Sequence, residues 1–450
     1  MKYIIILYIF LISILPRLDA QIFLDSTVLD STVLIDNLDI PWEVIYGPDD
    51  MLWVTERFGR VSRISPNTGA QNIVLDISAQ VTDVGESGLL GLALHPDFTN
   101  NPQVFLVYTY KTGGEFFERL VKYTYNGSQL QNPQILLDSI AGNNIHDGSR
   151  IIITADSKLL FTTGDADDQS TPQNLQSLNG KTIRLNLDGS IPSDNPLTGN
   201  PIWTWGHRNA QGLAKHPSGK IFISEHGTSI DDEFNVIKGG SNYGWPFVEG
   251  NCDLPAEIQF CQDSAVVEPL MTWTPSIAPS DIVWYGDTEI PEWESSFLMV
   301  VLKEKKVVRL KLDNTQSNVT DTATYFEDYF GRLRDICVDP DGNIYLATNG
   351  SSWINSDPFS HKIIKISKSQ ATVIIEPEDK FLNVSFRDRT LTLLTDRSQI
   401  GKNYRIFDID GKEVLRGELV DRKSIVPFDR SKGLYIIKIE NVLTQKFIVH

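Results

Sequence analysis

Five stretches of the chain repeat one phrase, in which an alternation of apolar and polar residues runs into a turn of Pro, Asp, Gly or Asn and then resumes. They are VIYGPDDMLWVTE (Val44–Glu56), LALHPDFTNNPQVFLVYTY (Leu92–Tyr110), IIITADSKLLFTTGD (Ile151–Asp165), LAKHPSGKIFISEHG (Leu213–Gly227) and ICVDPDGNIYLATNG (Ile336–Gly350). Alternation with a period of two puts every second side chain on one sheet face, so each phrase predicts a β-hairpin. Uneven spacing means that insertions separate the units. One hairpin type recurring along most of the chain predicts a β-propeller rather than a single sandwich. Helical periodicity is almost absent. From about Lys380 the phrase stops, and shorter strands run to YRIFDIDGKEVLRGELVDRKSIVPFDRSKGLYIIKIENVLTQKFIVH, which predicts a separate small β-sandwich. The polar stretch near Lys368 sets the expected boundary, with a propeller over 21–368 and the sandwich over 369–450.

Charge narrows the ligands. With 40 basic and 58 acidic residues the net charge is −18 and the pI about 4.8. That opposes binding to nucleic acid and to anionic membrane surfaces, and favours a cation or a neutral molecule. The first residues, MKYIIILYIFLISILPRLDA, combine one Lys, an apolar run, Pro16 and Ala20. This is the layout of a secretory signal peptide over 1–20, with Leu18 leaving an uncleaved anchor as the alternative. The protein is therefore expected to be secreted or held at the cell surface. Cys252 and Cys261 share the loop-like stretch NCDLPAEIQFC, and in an exported chain they predict a local disulfide, while Cys337 on an alternating apolar run predicts a buried thiol.

Loops at one end of a propeller converge on its central channel, so residues far apart in sequence can meet there. In ESGLLGLALHPDF, Glu86 precedes a Gly-anchored strand, a place equally suited to an ordinary solvated loop charge. NIHDGSR carries His146, a candidate base or a structural hydrogen bonder, and Arg150. GHRNAQG (Gly206–Gly212) sets an imidazole, a guanidinium and a carboxamide side by side, so that Arg208 and Asn209 offer a fork of donors to a ligand or to neighbouring carbonyls. In SEHGTSIDDEFNV the carboxylates Glu225, Asp231, Asp232 and Glu233 crowd one loop, and such a group repels itself unless solvated or bound to a hard cation such as Ca²⁺. Lys303, Arg332 and Arg334 form a cationic set in an acidic protein. Arg332 and Arg334 flank Leu333 on a strand, which points both to one face and toward an anionic ligand or a buried carboxylate.

Taken in order, ESGLLGLALHPDF, IHDGSR, TTGDADD, GKTIRLNLDGSIPSDNP, GHRNAQGLAKHPSGKIFISEHG, DDEFNVIKGGSNYGWP, PSIAPSD, LKEKKVVRLKL and GRLRDICVDPDGNIYLATN resemble the soluble glucose/sorbosone dehydrogenases that use pyrroloquinoline quinone (PQQ). The resemblance spans about Leu38 to Ser367. It implies an all-β fold, a six-bladed propeller of four-stranded blades, and oxidation of an aldose to its lactone with PQQ and Ca²⁺. It also implies His146 as the general base, Arg208 and Asn209 at the quinone oxygens, Glu86 beside the cofactor, and Lys303, Arg332 and Arg334 on its carboxylates. The carbonyls of Gly227 and Thr228 fall where the cofactor's Ca²⁺ binds. Glu233 and the Tyr243 carbonyl fall where a structural Ca²⁺ binds. The chain departs from the family pattern at Glu86 (Gln elsewhere), Thr228 (Pro) and Asp281 (Gly).

The phrases IFDIDGKEV and GLYIIKI…QKFIV resemble the C-terminal sorting domain of Bacteroidetes-type secretion, which implies outer-membrane secretion machinery as a partner. Two other readings stand beside the enzyme. One is a non-catalytic propeller binding module, which would have no need to keep His146, Arg208 and the three-cation set together. The other is a Ca²⁺-dependent hydrolase, which would need side-chain carboxylates and amides around a metal in the channel. Neither the preferred sugar nor the electron acceptor is legible in the residues.

Overall fold

The computed structural model describes residues 22–353, 358–369, 382–387, 389–395, 399–409, 411–439 and 443–449. The expected signal peptide lies outside them. The chain falls into two compact units, Met1–Ser369 and Gln370–His450.

Among the described residues of the first unit, each predicted hairpin opens an antiparallel sheet. Blade 1 is Pro41–Tyr46, Leu52–Glu56, Arg60–Ile64 and Gln71–Asp76, and blade 2 is Leu89–Leu94, Gln103–Thr112, Glu115–Tyr125 and Leu130–Ala141. Blade 3 is Gly148–Ile153, Lys158–Thr163, Lys181–Asn186 and Ile202–Trp205; blade 4 is Ala210–Lys215, Ile221–Glu225, Asp232–Ile237 and Met271–Trp273. Blade 5, Pro279–Tyr285, Ser296–Val301, Lys306–Leu312 and Val319–Tyr325, has no counterpart among the five phrases. Its hairpin carries the long connection GDTEIPEWESS in place of a tight turn, which hides the repeat. Blade 6 joins Arg332–Val338, Ile344–Asn349 and Ile363–Lys368 to the N-terminal strands Val28–Ile35 and Ile22–Phe23. The innermost strands contact one another in a ring, blade 6 back to blade 1, so the sheets form a six-bladed propeller. Closing the last blade with the N-terminal strand ties the first and last parts of this unit together, and the register Leu29↔Lys368 to Ile35↔Ile363 makes that seam.

Every innermost strand breaks register near its start, at Pro41/Glu43, Leu89/Leu92, Gly148/Ile151, Ala210/Gly212, Pro279/Asp281 and Leu333/Asp335. A bulge adds a residue to one strand and re-aims its side chain. The residues thrown out of register include Trp42, Arg150, Gln211 and Arg334. Arg150, 1% exposed, lies 2.9 Å from Glu43 of blade 1, 3.3 Å from Asp281 of blade 5 and 2.8 Å from Asp335 of blade 6. It also donates to the carbonyls of Gln211 (2.9 Å) and Ser280 (3.3 Å) and stacks over Trp42. Burial lifts Glu43 to about 8 and Asp281 well above the carboxylate range, against the pull of Arg150.

The stretch around the cysteines is not a plain loop. Pro255–Ser264 is a helix carrying Cys261, bonded to Cys252 with a Cα–Cα distance of 6.4 Å. Pro255 begins it and Glu257 accepts the Leu254 N–H at 3.0 Å, but Leu254 and Ile258 are exposed, so no apolar stripe announces it. Cys337 is buried, and burial pushes its thiol up. In the second unit, the sheets Leu382–Arg387/Thr390–Thr395/Lys423–Pro427 and Glu413–Glu418/Asn403–Phe407/Gly433–Ile439/Leu443–Val449 share a core that includes Leu391, Ile406, Phe428, Tyr435 and Ile437. This is a small β-sandwich.

Arg150→Ala strands three carboxylates in the channel without their cation. The expected cost is about 3–5 kcal/mol of folding stability, read from the denaturant midpoint.

Candidate active site

Because each blade is connected in the same way, the loops that enter the inner strands and those that leave the second strands lie at one end of the ring. His146 enters blade 3 there. Its φ is 59°, in the left-handed region, and its Nδ1 lies 2.8 Å from Oδ1 of Asp165, which leaves the same blade's second strand. A Cβ on Gly164 would sit 1.6 Å from the His146 carbonyl, so only glycine lets the two loops touch. Asp165 is 1% exposed and also accepts the Asp167 N–H and, through Oδ2, the Trp245 indole N–H, both at 2.9 Å. With those two N–H groups on it, Asp165 presents Oδ1 as an acceptor to the Nδ1–H of His146. The tautomer this selects leaves the Nε2 lone pair free, and the ring remains 13% exposed toward the open end. Asp165 lies in TTGDADD, where nothing in the residues alone marks it as functional. Its signal is positional, an acid just after the glycine that ends a strand.

The cations gather around the same end. Asn209 accepts the Gly148 N–H (3.2 Å) and the Gln211 amide (3.0 Å), and Gln211 accepts Arg334 Nη1 (3.1 Å), a buried line joining blades 3, 4 and 6. Asn209 Nδ2, Arg332 Nε and Arg334 Nε are buried and have no hydrogen-bond partner among the described residues. The bulge at Leu333/Asp335 falls on Arg334, so simple alternation does not describe this strand. Burial pushes Arg334 down to about 9 and lowers Arg332, with Glu86 opposing both shifts. Arg57 and Arg334 each stack over Trp353, and neither Arg57 nor Trp353 was a sequence candidate. Arg208 stacks over Trp245 and donates to the carbonyls of Gly227 (2.6 Å) and His226 (3.2 Å). Lys303 is exposed on the blade 5 loop at this end and has no ion-pair partner among the described residues. Glu86 enters blade 2 and accepts the His146 N–H at 3.0 Å.

The acidic loop is mostly self-satisfied. Asp232 staples Gly227 (2.9 Å), Ser276 (2.9 Å), Ile277 (2.6 Å) and Ala278 (2.7 Å), and Asp231 takes the Thr274 hydroxyl at 2.7 Å. Glu225 accepts the Arg208 N–H and His207 Nδ1 (2.9 Å). His207, with Thr204 on its other nitrogen and Tyr243 stacked on its ring, is structural. Glu233 alone is strained. It accepts from Asn235 and Gly250, yet burial and then Glu225 lift it to about 8. Gly227, Glu233 and Tyr243 line one small cavity with Glu225, Asp231 and Glu249, holding about 10 Å³ of space that water can reach. Thr228 is exposed beside it, its N–H on Glu249. Among the described residues, no three His, Cys, Asp or Glu side chains are grouped as metal ligands.

The sequence profile of the Glucose / Sorbosone dehydrogenase family matches residues 38–354, which contain every one of these groups. The chain belongs to that family. Among glucose/sorbosone dehydrogenase relatives, the quinoprotein glucose dehydrogenase B of Acinetobacter calcoaceticus is 34% identical, with 73% of this chain and 87% of that protein aligned. The aldose sugar dehydrogenase YliI of Escherichia coli is 30% identical over 71% of this chain and 90% of its own length. The PQQ-bound aldose sugar dehydrogenase of Streptomyces coelicolor superposes with a TM-score of 0.66 at 29% identity, covering 76% of this chain and 98% of that structure.

Three buried carboxyls of this protein, Glu43, Asp147 and Glu233, are each lifted to about 8 by burial. A group whose folded value is raised holds a proton that the unfolded chain releases above its ordinary value, so its share of stability is present at low pH and lost as pH rises. The melting temperature of the protein is expected to fall from about pH 5 to pH 8.

Proposed function

We propose that the protein oxidises an aldose sugar at its anomeric carbon to the lactone, with PQQ and Ca²⁺ bound at the open end of the propeller. The observation that carries this reading is the set of unpaired buried donors, Asn209 Nδ2, Arg332 Nε and Arg334 Nε, standing around an oriented His146–Asp165 pair. Buried donors without acceptors are costly, and a bound ligand rich in oxygen removes that cost. PQQ, a planar ortho-quinone with three carboxylates, has that chemistry. The names of the quinoprotein and PQQ-bound relatives support the same cofactor.

When bound, PQQ would supply an electrophilic carbonyl able to accept a hydride. The rest falls to side chains. His146 Nε2 takes the proton of the sugar's anomeric hydroxyl, and Asp165 holds the ring in the required tautomer and stabilises the imidazolium. Arg208 and Asn209 would direct donors toward the quinone oxygens, and Lys303, Arg332 and Arg334 would hold the carboxylates. The carbonyls of Gly227 and Thr228 would bind the cofactor's Ca²⁺. Because Arg208 already donates to the Gly227 carbonyl, ion and guanidinium would share its two lone pairs. Glu233 and the Tyr243 carbonyl suit a second Ca²⁺, which would relieve the crowding with Glu225. The hydrolase reading is disfavoured, because the channel's carboxylates already surround Arg150.

Titrating the purified apoprotein with PQQ under excess Ca²⁺, followed by dye-linked sugar oxidation, tests the reading. His146→Ala is expected to keep PQQ binding and lose about two to four orders of magnitude in turnover. Arg334→Ala is expected to weaken PQQ binding about 30- to 150-fold while turnover at saturation changes little. A parent protein that binds no PQQ would sink the proposal.

We propose further that residues 1–20 direct export and that the C-terminal sandwich serves sorting to the outer membrane. A chain ending at Ser369 should then oxidise sugar normally and accumulate inside the cell envelope, as cell fractionation would show.

A further inference from the structure

We infer that Glu86 has two opposed effects at this site: it pins the backbone of His146, and its charge works against the anion that Arg332 and Arg334 attract. The inference rests on the reading of the site as a PQQ site.

The pin is visible in the bonds between two loops. Glu86 donates its N–H to the Asn144 carbonyl at 2.8 Å and accepts the His146 N–H on Oε2 at 3.0 Å, while Ser87 Oγ donates to the Asn143 carbonyl at 2.5 Å. Gly85, with φ 64°, packs so tightly that a Cβ would lie 2.2 Å from the Asn144 carbonyl oxygen. From the other side, Arg57 Nη1 holds the carbonyls of Gly85 (2.7 Å) and Ser87 (2.9 Å). Segment 85–87 is thus held by contacts other than its bond to His146. His146 needs that support, because a residue with a Cβ in the left-handed region persists only when its surroundings over-determine it. Asp165 orients the ring, and Glu86 orients the backbone that carries the ring.

The charge is a separate matter. Among the described residues Arg332 and Arg334 make no ion pair, and the anionic neighbour that acts on both is Glu86. A tricarboxylate held by the two arginines would meet this negative charge. An uncharged acceptor would serve the pin equally, since the bond to His146 needs only an oxygen lone pair. Gln supplies that oxygen without the charge, and Ala removes both.

The test compares the parent, Glu86→Gln and Glu86→Ala as apoproteins, titrated with PQQ by quenching of tryptophan fluorescence in excess CaCl₂, and then assayed with glucose at saturating PQQ. Glu86→Gln is expected to bind PQQ about tenfold more tightly than the parent, the effect of removing one like charge across a partly screened site. Glu86→Ala should share the tighter binding but turn over about ten- to a hundredfold more slowly than Glu86→Gln, with kcat carrying the loss rather than KM. Rescue by the amide is what separates a pin from general loosening. If the parent binds PQQ and Glu86→Gln binds it no more tightly, or if the Ala variant turns over as fast as the Gln variant, the inference is overturned. A parent that does not bind PQQ overturns the cofactor reading instead, before any variant is compared.

Discussion

One guanidinium connects five of the six blades. Arg150 rises from blade 3, ion-pairs with carboxylates of blades 1, 5 and 6 and donates to a carbonyl of blade 4, while its face lies on Trp42. A propeller's inner strands leave a channel that must be filled by side chains or by solvent, and here it is crossed by a buried ionic layer. Such a layer is expensive to desolvate, and it adds little net stability compared with well-packed apolar residues. What it supplies is geometry. The blades that deliver His146, Asn209 and Arg334 meet at this one group, so their relative placement is fixed just beneath the site.

The repeated bulge is the device that makes this possible. A regular strand would send successive side chains alternately to its two faces, and a single inner strand could not offer a channel residue and a site residue in the right order. The extra residue in each inner strand frees Trp42, Arg150, Gln211 and Arg334 from the alternation. On the same strand, Arg332 and Arg334 each keep an Nε that no described residue satisfies. Local rules of strand geometry and hydrogen bonding are broken where ligand chemistry is proposed, and kept elsewhere.

The acidic loop shows how far composition can mislead. Four carboxylates in one short segment suggest a cation site, but three are taken up by backbone N–H groups, hydroxyls and His207, and only Glu233 stays under electrostatic strain. Hydrogen bonding absorbed the charge that the spacing seemed to offer to a metal.

The fold was legible because it depends on local signals. Alternation, tight turns and their recurrence reflect how each hairpin buries one face, and five of the six blades announced themselves in this way; blade 5 did not, because its hairpin turn is long. His146, Arg208, Asn209, Arg332 and Arg334 could be picked out as large polar residues beside glycines or on strands that had no evident need for them. Asp165, Arg57, Trp353 and the pin from Glu86 to His146 could not, since each owes its importance to a partner far away in sequence, as Arg57 does to Trp353 and Asp165 does to Trp245. The disulfide helix escaped notice because its exposed Leu254 and Ile258 carry no stripe. A sequence fixes what each short segment prefers, through its periodicity and its turn residues. Which distant carboxylate meets which imidazole is decided only when the ring closes and its loops come to lie side by side.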